Sequence, residues 1–180
     1  MTGADDAPAP PLELDDSARQ FVEEFGLLWE KAQSTRMEGR ITGLLMIVDA
    51  PYLSSAQIAH LLQASAGAVS TSTRVLVEVG FIKRHVIPGD RNHYFRVEDD
   101  IWGSFLAGER AYLMRLAEAI EVGFAALDGD GDTGRRRRMI NAHNYMTWLS
   151  DYHRTMLKEW VVYRDSHASQ TPGADRRGAT

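Results

Sequence analysis

From residue 15 onward, apolar positions recur at helical spacing almost to the end of the chain. One short stretch of strand composition interrupts them. Ala18, Phe21, Phe25, Leu28 and Ala32 step by three and four residues, which places them on one stripe of a first helix. Val22 and Trp29 widen the stripe, and Asp15 or Asp16 can cap the helix. A helix this apolar along one side needs a cover.

A second helix is predicted over 38–48, ending before Asp49-Ala50-Pro51 because proline disfavours helix in the residue before it. A third opens at Ser54. Gln57 stands three residues later, so hydroxyl and amide can satisfy orphan backbone donors reciprocally. Its core face is Ile58, Ala59, Leu61 and Leu62. Residues 63–67 read as a turn into a fourth helix, with Ser65 as cap and Gly80 as the stop after Val79. Residues 81–87 and 93–97 have strand composition and flank Pro88-Gly89-Asp90-Arg91-Asn92, a hairpin signature. Two long helices then follow over 100–127 and 135–164. On the second, Met139, Ala142, Met146, Leu149, His153, Met156, Trp160 and Tyr163 alternate steps of three and four, a heptad seam that calls for a partner helix.

The pattern predicts a mostly α (α+β) chain: a winged helix-turn-helix with N- and C-terminal helices forming a dimerisation region. The expected divisions are a disordered tail over 1–14, a dimerisation helix over 15–35 and a winged helix-turn-helix over 36–98. A helical dimerisation region over 99–165 and a disordered tail over 166–180 complete it. Dimerisation is expected to draw on Phe21, Phe25 and Leu28 of the first helix. From the last helix it draws on Met139, Met146, Leu149, His153, Met156, Trp160 and Tyr163. The mate of the seam is the helix over 100–127, the copy in a second subunit, or a mixture of the two within a homodimer, which is favoured.

Charge sharpens this picture. The chain carries a formal net charge of −5, unusual for a nucleic-acid binder. From Ser54 to Val97, however, the cations Arg74, Lys83, Arg84, Arg91 and Arg96 face only Glu78 and Asp90, so this stretch carries +3 and the remainder −8. Attraction to phosphate acts locally, within about 10 Å at moderate salt. On the fourth helix, Val69, Thr73, Leu76 and Val79 follow the buried stripe, and Ala66, Gly67, Ser70, Thr71 and Arg74 hold the opposite front. Small residues at its N-terminus let backbone N–H groups approach a phosphate. Ser65, Ser70 and Thr71 supply hydroxyls, and Arg74 suits guanine readout or a backbone clamp. At the hairpin tip, Arg91 is placed to enter a minor groove, with Arg84, Asn92 and His93 beside it. Asp90 either orients Arg91 by a salt bridge or simply forms the turn. Lys83 and Arg84 point to opposite faces, so one of them reaches the duplex.

Several segments carry the mark of a family: Gly39-Arg40-Ile41-Thr42-Gly43-Leu44-Leu45, Ser65-Ala66-Gly67-Ala68-Val69-Ser70-Thr71, Gly80-Phe81-Ile82-Lys83-Arg84 and the run from Pro88 to Val97. The stretch from Arg36 to Val97 resembles the winged helix-turn-helix of MarR-family transcriptional regulators, in their GbsR-like branch. That resemblance implies an obligate homodimer, a pseudo-palindromic operator on double-stranded DNA and often a small-molecule effector. The chain departs from the family at Asn92, where relatives commonly carry a second arginine.

Other signals are weaker. The run Asp128-Gly129-Asp130-Gly131-Asp132 imitates the start of a calcium loop, but Thr133 and Met139 stand where glycine and glutamate are required, so an acidic linker is expected. Arg135 to Arg138 read as a solvated helix start, and the six histidines show no zinc spacing. His153 puts a polar group in an apolar seam, where it can fix register or report protonation. Trp29, Tyr145, Trp148 and Tyr152 are candidates to line an effector pocket for a small apolar or cationic molecule. No cofactor or metal is expected. The absence of cysteine rules out disulfides and thiolate sites. No apolar run approaches the roughly 18 residues of a membrane span, and the acidic, proline-rich start has no signal-peptide core, so a cytoplasmic location is expected. No nucleophile–base pair or phosphate loop suggests an enzyme. The expected activity is transcriptional regulation by DNA binding, as a repressor, and the alternative is a winged-helix protein-docking module without DNA binding.

Overall fold

The computed structural model describes residues 12–31, 34–127 and 134–168. Its order is α1 (Asp16–Glu30), α2 (Arg36–Ile47), β1 (Leu53–Ser54), α3 (Ser55–Leu61), α4 (Ala66–Val79), β2 (Lys83–His85), β3 (Tyr94–Arg96), α5 (Ile101–Phe124), a 3-10 turn (Ala125–Leu127) and α6 (Gly134–His167). The chain divides into two compact units, one ending at Ile101 and the other starting at Trp102.

In the first unit, local chemistry sets the helix ends. The carboxylate of Asp15 accepts hydrogen bonds from the Ala18 amide and the Ser17 hydroxyl, both at 2.7 Å, and so caps α1. Those donors favour the ionised form and hold the Asp15 carboxyl below its ordinary range. Helix α2 starts two residues earlier than the sequence predicts, because Thr35 and Glu38 form a capping box. Glu38 is 7% exposed and also accepts a hydrogen bond from the Ser34 hydroxyl, which in turn accepts the Trp29 indole N–H at 2.9 Å. Its burial is therefore matched by partners. The predicted capping box at Ser54 and Gln57 forms.

Helices α1 and α2 cross at closest approach between Gly26 and Gly39. A Cβ added at Gly39 would lie 2.5 Å from Trp29 Cβ and 2.8 Å from Gly26 Cα, so a side chain there forces the helices apart. Glu23 bridges Arg36 and Arg40, each at 2.7 Å. Arg40 also donates to the Leu62 carbonyl at 2.8 Å, which ties α2 to the end of α3. Beneath this frame Ile41, Leu44, Leu53, Ile58, Leu62, Val69, Leu76 and Ile82 are fully buried. Burying side chains of this size contributes about 1.5–3 kcal/mol each.

A three-stranded antiparallel sheet of order β1-β3-β2 completes the unit. The hairpin pairs Lys83 with Arg96, Arg84 with Phe95 and His85 with Tyr94, a shorter ladder than the sequence predicts. Strand β1, which the sequence does not announce, pairs Leu53 with Phe95 and Ser54 with Tyr94.

The second unit holds α5 and α6. Met139 lies against Gly123, His143 meets Glu121 at 2.8 Å, and His153 meets Glu109 at 3.9 Å. Positions falling along α5 meet positions rising along α6, so the two run antiparallel. The first part of the heptad seam is covered in this way: Met139, Met146 and Leu149 are partly buried and His153 is 7% exposed. Further along, Met156 and Tyr163 are exposed. Helix α6 continues through His167, beyond the boundary at 165 that the sequence suggests. The acidic linker over 128–133, both expected disordered tails except residues 12–14 and 166–168, and Ala32 lie outside the described residues. Among the described residues no helix is long and apolar enough to cross a membrane.

Candidate nucleic-acid interface

Helix α4 is set for presentation at both ends. Ser65 caps it, its side chain accepting from the Ala68 amide at 3.2 Å. Gly80 closes it at φ 90°, with its own amide bonded to the Val77 carbonyl and the Phe81 amide to the Leu76 carbonyl at 3.0 Å. That arrangement is a Schellman motif, and it requires a residue tolerant of the left-handed region. In the turn before α4, Gln63 takes the left-handed conformation at φ 49°, which is uncommon for a residue with a side chain.

One side of α4 buries Val69, Ser72, Thr73 and Leu76. This corrects the predicted stripe at its end: Val79 is exposed, and Ser72 takes a buried place at 6% exposure. The Thr73 hydroxyl donates to the Val69 carbonyl at 2.8 Å, so its burial leaves no unsatisfied group. The opposite side leaves Ser65, Ala66, Gly67, Ser70, Thr71 and Arg74 exposed together, as the sequence predicts. A Cβ at Gly67 would meet nothing within 4 Å. The lobe's own packing therefore gives no reason for a glycine there, although glycine in a helix costs about 1 kcal/mol relative to alanine.

The hairpin tip turns through Pro88 and Gly89, with Gly89 at φ +84° and the Asp90 amide bonded to the Ile87 carbonyl at 3.1 Å. These are the residues of a type II turn. Asp90 resolves the alternative left open by the sequence. Its carboxylate accepts from the Asn92 amide at 2.8 Å and the Tyr94 hydroxyl at 2.7 Å, so it forms the turn. The Asn92 amide, first, and the Tyr94 hydroxyl lower the Asp90 pKa, and the hydrogen bond to Asp90 raises that of Tyr94. The Arg91 guanidinium is exposed and without a hydrogen bond or ion pair among the described residues.

The two strand cations also separate. Lys83 and Arg96 share the carboxylate of Glu98, at 3.0 and 2.9 Å. Arg84, on the other face of the ladder, is exposed and without a partner among the described residues. Arg74 stands likewise. His93 exposes its ring, while its carbonyl accepts from the Ser55 amide at 2.9 Å and fastens the wing to α3. Sequence reasoning missed the brace at the wing's base, where Tyr52 stacks on His85 at 4.2 Å and meets Tyr94 edge-on at 5.4 Å. Its signal is non-local, since Tyr52 lies more than thirty residues before either ring.

The remaining sequence-predicted residues lie elsewhere. Phe21, Phe25, Trp29 and Phe81 form a row of rings with centroid spacings of 5.6, 5.3 and 4.7 Å. Phe21, Phe25 and Trp29 are partly buried within the first unit. Leu28 points away from this row and is 65% exposed. Tyr145, Trp148 and Tyr152 belong to the second unit and form an exposed ladder, with successive rings 5.9 Å apart.

Comparison with known proteins gives this architecture a family. No family model matches the chain. It is 36% identical over 135 residues to the HTH-type transcriptional regulator MmpR5 of Mycobacterium tuberculosis, a match covering 73% of this chain and 79% of that protein. The chain belongs to the helix-turn-helix transcriptional regulators. A crystal structure of a transcriptional regulator superposes with a TM-score of 0.67 at 30% identity, covering 81% of this chain and 98% of that one. In this regulator, then, α3 and α4 form the helix-turn-helix, and β2, β3 and the tip between them form its wing.

Proposed function

We propose that this regulator is a MarR-type repressor of the GbsR-like branch that binds a pseudo-palindromic operator in double-stranded DNA as a homodimer. The resemblance of the α2, α4 and wing segments to that family supports the assignment. Helix α4 enters the major groove with its N-terminal turn foremost. Ser65, Ser70 and Thr71 meet phosphates or base edges, Ala66 and Gly67 allow close backbone approach, and Arg74 reads a base or clamps a phosphate. Arg91 at the wing tip enters the adjacent minor groove, with Arg84, Asn92 and His93 on flanking phosphates.

The observation that carries this reading is the distribution of paired and unpaired cations. Arg36, Arg40, Lys83 and Arg96 are held by carboxylates, whereas Arg74, Arg84 and Arg91 stand exposed without partners among the described residues. An unpaired arginine on a rigid frame is ready for an anionic partner and gives up no internal ion pair on binding it.

The homodimer is supported by apolar surface the single chain leaves open: Leu28 on α1 and the Tyr145–Trp148–Tyr152 ladder with Tyr163 on α6. Two copies would place two α4 helices about one helical turn of DNA apart. A small apolar or cationic effector that changes this spacing would release the operator.

Binding-site selection from random duplexes tests the proposal. It should return an inverted repeat bound by a dimer. Failure to retain any duplex at low salt, together with a tight protein partner, would assign the winged helix to protein docking.

A further inference from the structure

The hairpin ladder stops short of the wing tip. Its last rung toward the tip joins His85 to Tyr94, and residues 86–93 lie beyond it. Past that rung, Asp90 gathers the bonds that shape the tip. Its amide donates to the Ile87 carbonyl at 3.1 Å, one carboxylate oxygen accepts from the Asn92 amide at 2.8 Å, and the other accepts from the Tyr94 hydroxyl at 2.7 Å. The first two bonds close small loops within the tip. The third reaches back to the central strand of the sheet, where Tyr94 pairs with His85 on one side and Ser54 on the other. The Tyr94 ring is itself held, with Tyr52 set edge-on against it at 5.4 Å. A phenol donating to a carboxylate makes a charge-assisted hydrogen bond, one of the stronger kinds.

We propose that Tyr94 is a positioning residue for DNA recognition: its hydroxyl anchors Asp90 to the sheet, which fixes the backbone of Arg91 and keeps the Asp90 carboxylate off the Arg91 guanidinium. Both effects follow from where the two carboxylate oxygens go. Arg91 lies between Asp90 and Asn92, so the bond joining those two spans it, and the Tyr94 hydroxyl ties the spanned loop to β3. A tip ordered beforehand loses less conformational freedom when it meets a partner. Asp90 is also the acid next to Arg91 in the chain. Released from Tyr94, its carboxylate is free to pair with that guanidinium or to face a phosphate, and either opposes binding of DNA. The consequence for DNA rests on the wing contact proposed above; the anchoring of the tip does not.

Tyr94→Phe removes the hydroxyl and keeps the ring, and two measurements read its effect. In the full chain without DNA, amide-nitrogen NMR relaxation should show the order parameters of Asp90, Arg91 and Asn92 falling from about 0.85, the level of rigid backbone, to below about 0.6. The amides of α4 should hold their order, which shows that the lobe stays folded. With a duplex recovered by binding-site selection, fluorescence anisotropy should show binding weakened about three- to tenfold for each wing engaged. The same substitution added to Arg91→Ala should cost nothing more, because a positioning residue acts through the group it positions. Unchanged order at Arg91, or an equal loss of affinity in both backgrounds, would overturn the proposal; the second result would put the hydroxyl on DNA itself. Arg91→Ala binding as tightly as the parent protein would overturn the wing contact instead, and lowered order at Arg91 in the free chain would still establish the anchor.

Discussion

The two units of this regulator use apolar residues in opposite ways. The first closes a core of its own, although Leu28 on α1 stays open: Ile41, Leu44, Leu53, Ile58, Val69 and Leu76 are all fully buried, and even Glu38 and Thr42 sit inside with their hydrogen bonds met. The second buries Leu113, Leu127, Ser150 and His153 among its described residues while Trp148, at 59% exposure, stands in a ladder of three open rings. A lobe whose core closes on itself can hold a rigid reading head. A helical hairpin that leaves its aromatics open has its stability tied to whatever covers them.

The sharpest way to break this contrast is to charge the open ladder. Trp148→Glu combined with Tyr152→Glu should raise the dimer dissociation constant by at least a thousandfold, since removing a central aromatic anchor costs about 2–4 kcal/mol. Analytical ultracentrifugation reads the result, and a dimer of unchanged strength would reassign the ladder. In the closed lobe, Gly39→Ala should destabilise by about 1–3 kcal/mol, because its new methyl meets Trp29 Cβ and the Gly26 backbone. Thermal unfolding followed by circular dichroism checks this, and the dimer constant at low temperature should hold. On the reading head, Arg74→Ala should reduce discrimination between operator and random duplex by about 1–3 kcal/mol. An equal weakening on both duplexes would place Arg74 on phosphate. The smallest effect belongs to Asp90. Its carboxyl titrates below the ordinary carboxylate range when folded, so the stabilisation it gives the wing is present above the unfolded pKa and is lost as pH falls through the folded value. Exchange of the Asn92 amide, measured by NMR, should be insensitive to pH-induced wing opening near neutrality and reveal opening only in acid. Asp90→Asn should abolish that acid dependence.

Much of the first unit was legible because its signals are local. The capping box at Ser54 and Gln57, the cap at Ser65 and the stop at Gly80 each need only a few consecutive residues, and all appear as expected. The exposed front of α4 followed from helical spacing alone. Strand β1 was not legible, because two residues carry no period and Leu53 becomes a strand only by pairing with Phe95. The exchange of Ser72 for Val79 in the buried stripe depends on where the core ends, which spacing does not encode. Strand alternation places Lys83 and Arg84 on opposite faces, but which of them is tied down depends on Glu98, outside the hairpin. In the second unit the heptad seam was plain, whereas its division into a covered part and an open part was not. The same letters serve a helix's own neighbour and a second subunit.

The most direct test of the whole account is the salt dependence of operator binding by the intact protein and by Arg91→Ala. Fluorescence anisotropy over a range of potassium chloride concentrations gives the slope of log affinity against log salt. Removing the wing-tip arginine should lower that slope by about one unit for each wing on the duplex, with affinity weakened on every sequence alike. A slope and affinity identical to those of the unsubstituted protein would contradict the account, because the unpaired arginine at the wing tip would then touch no DNA.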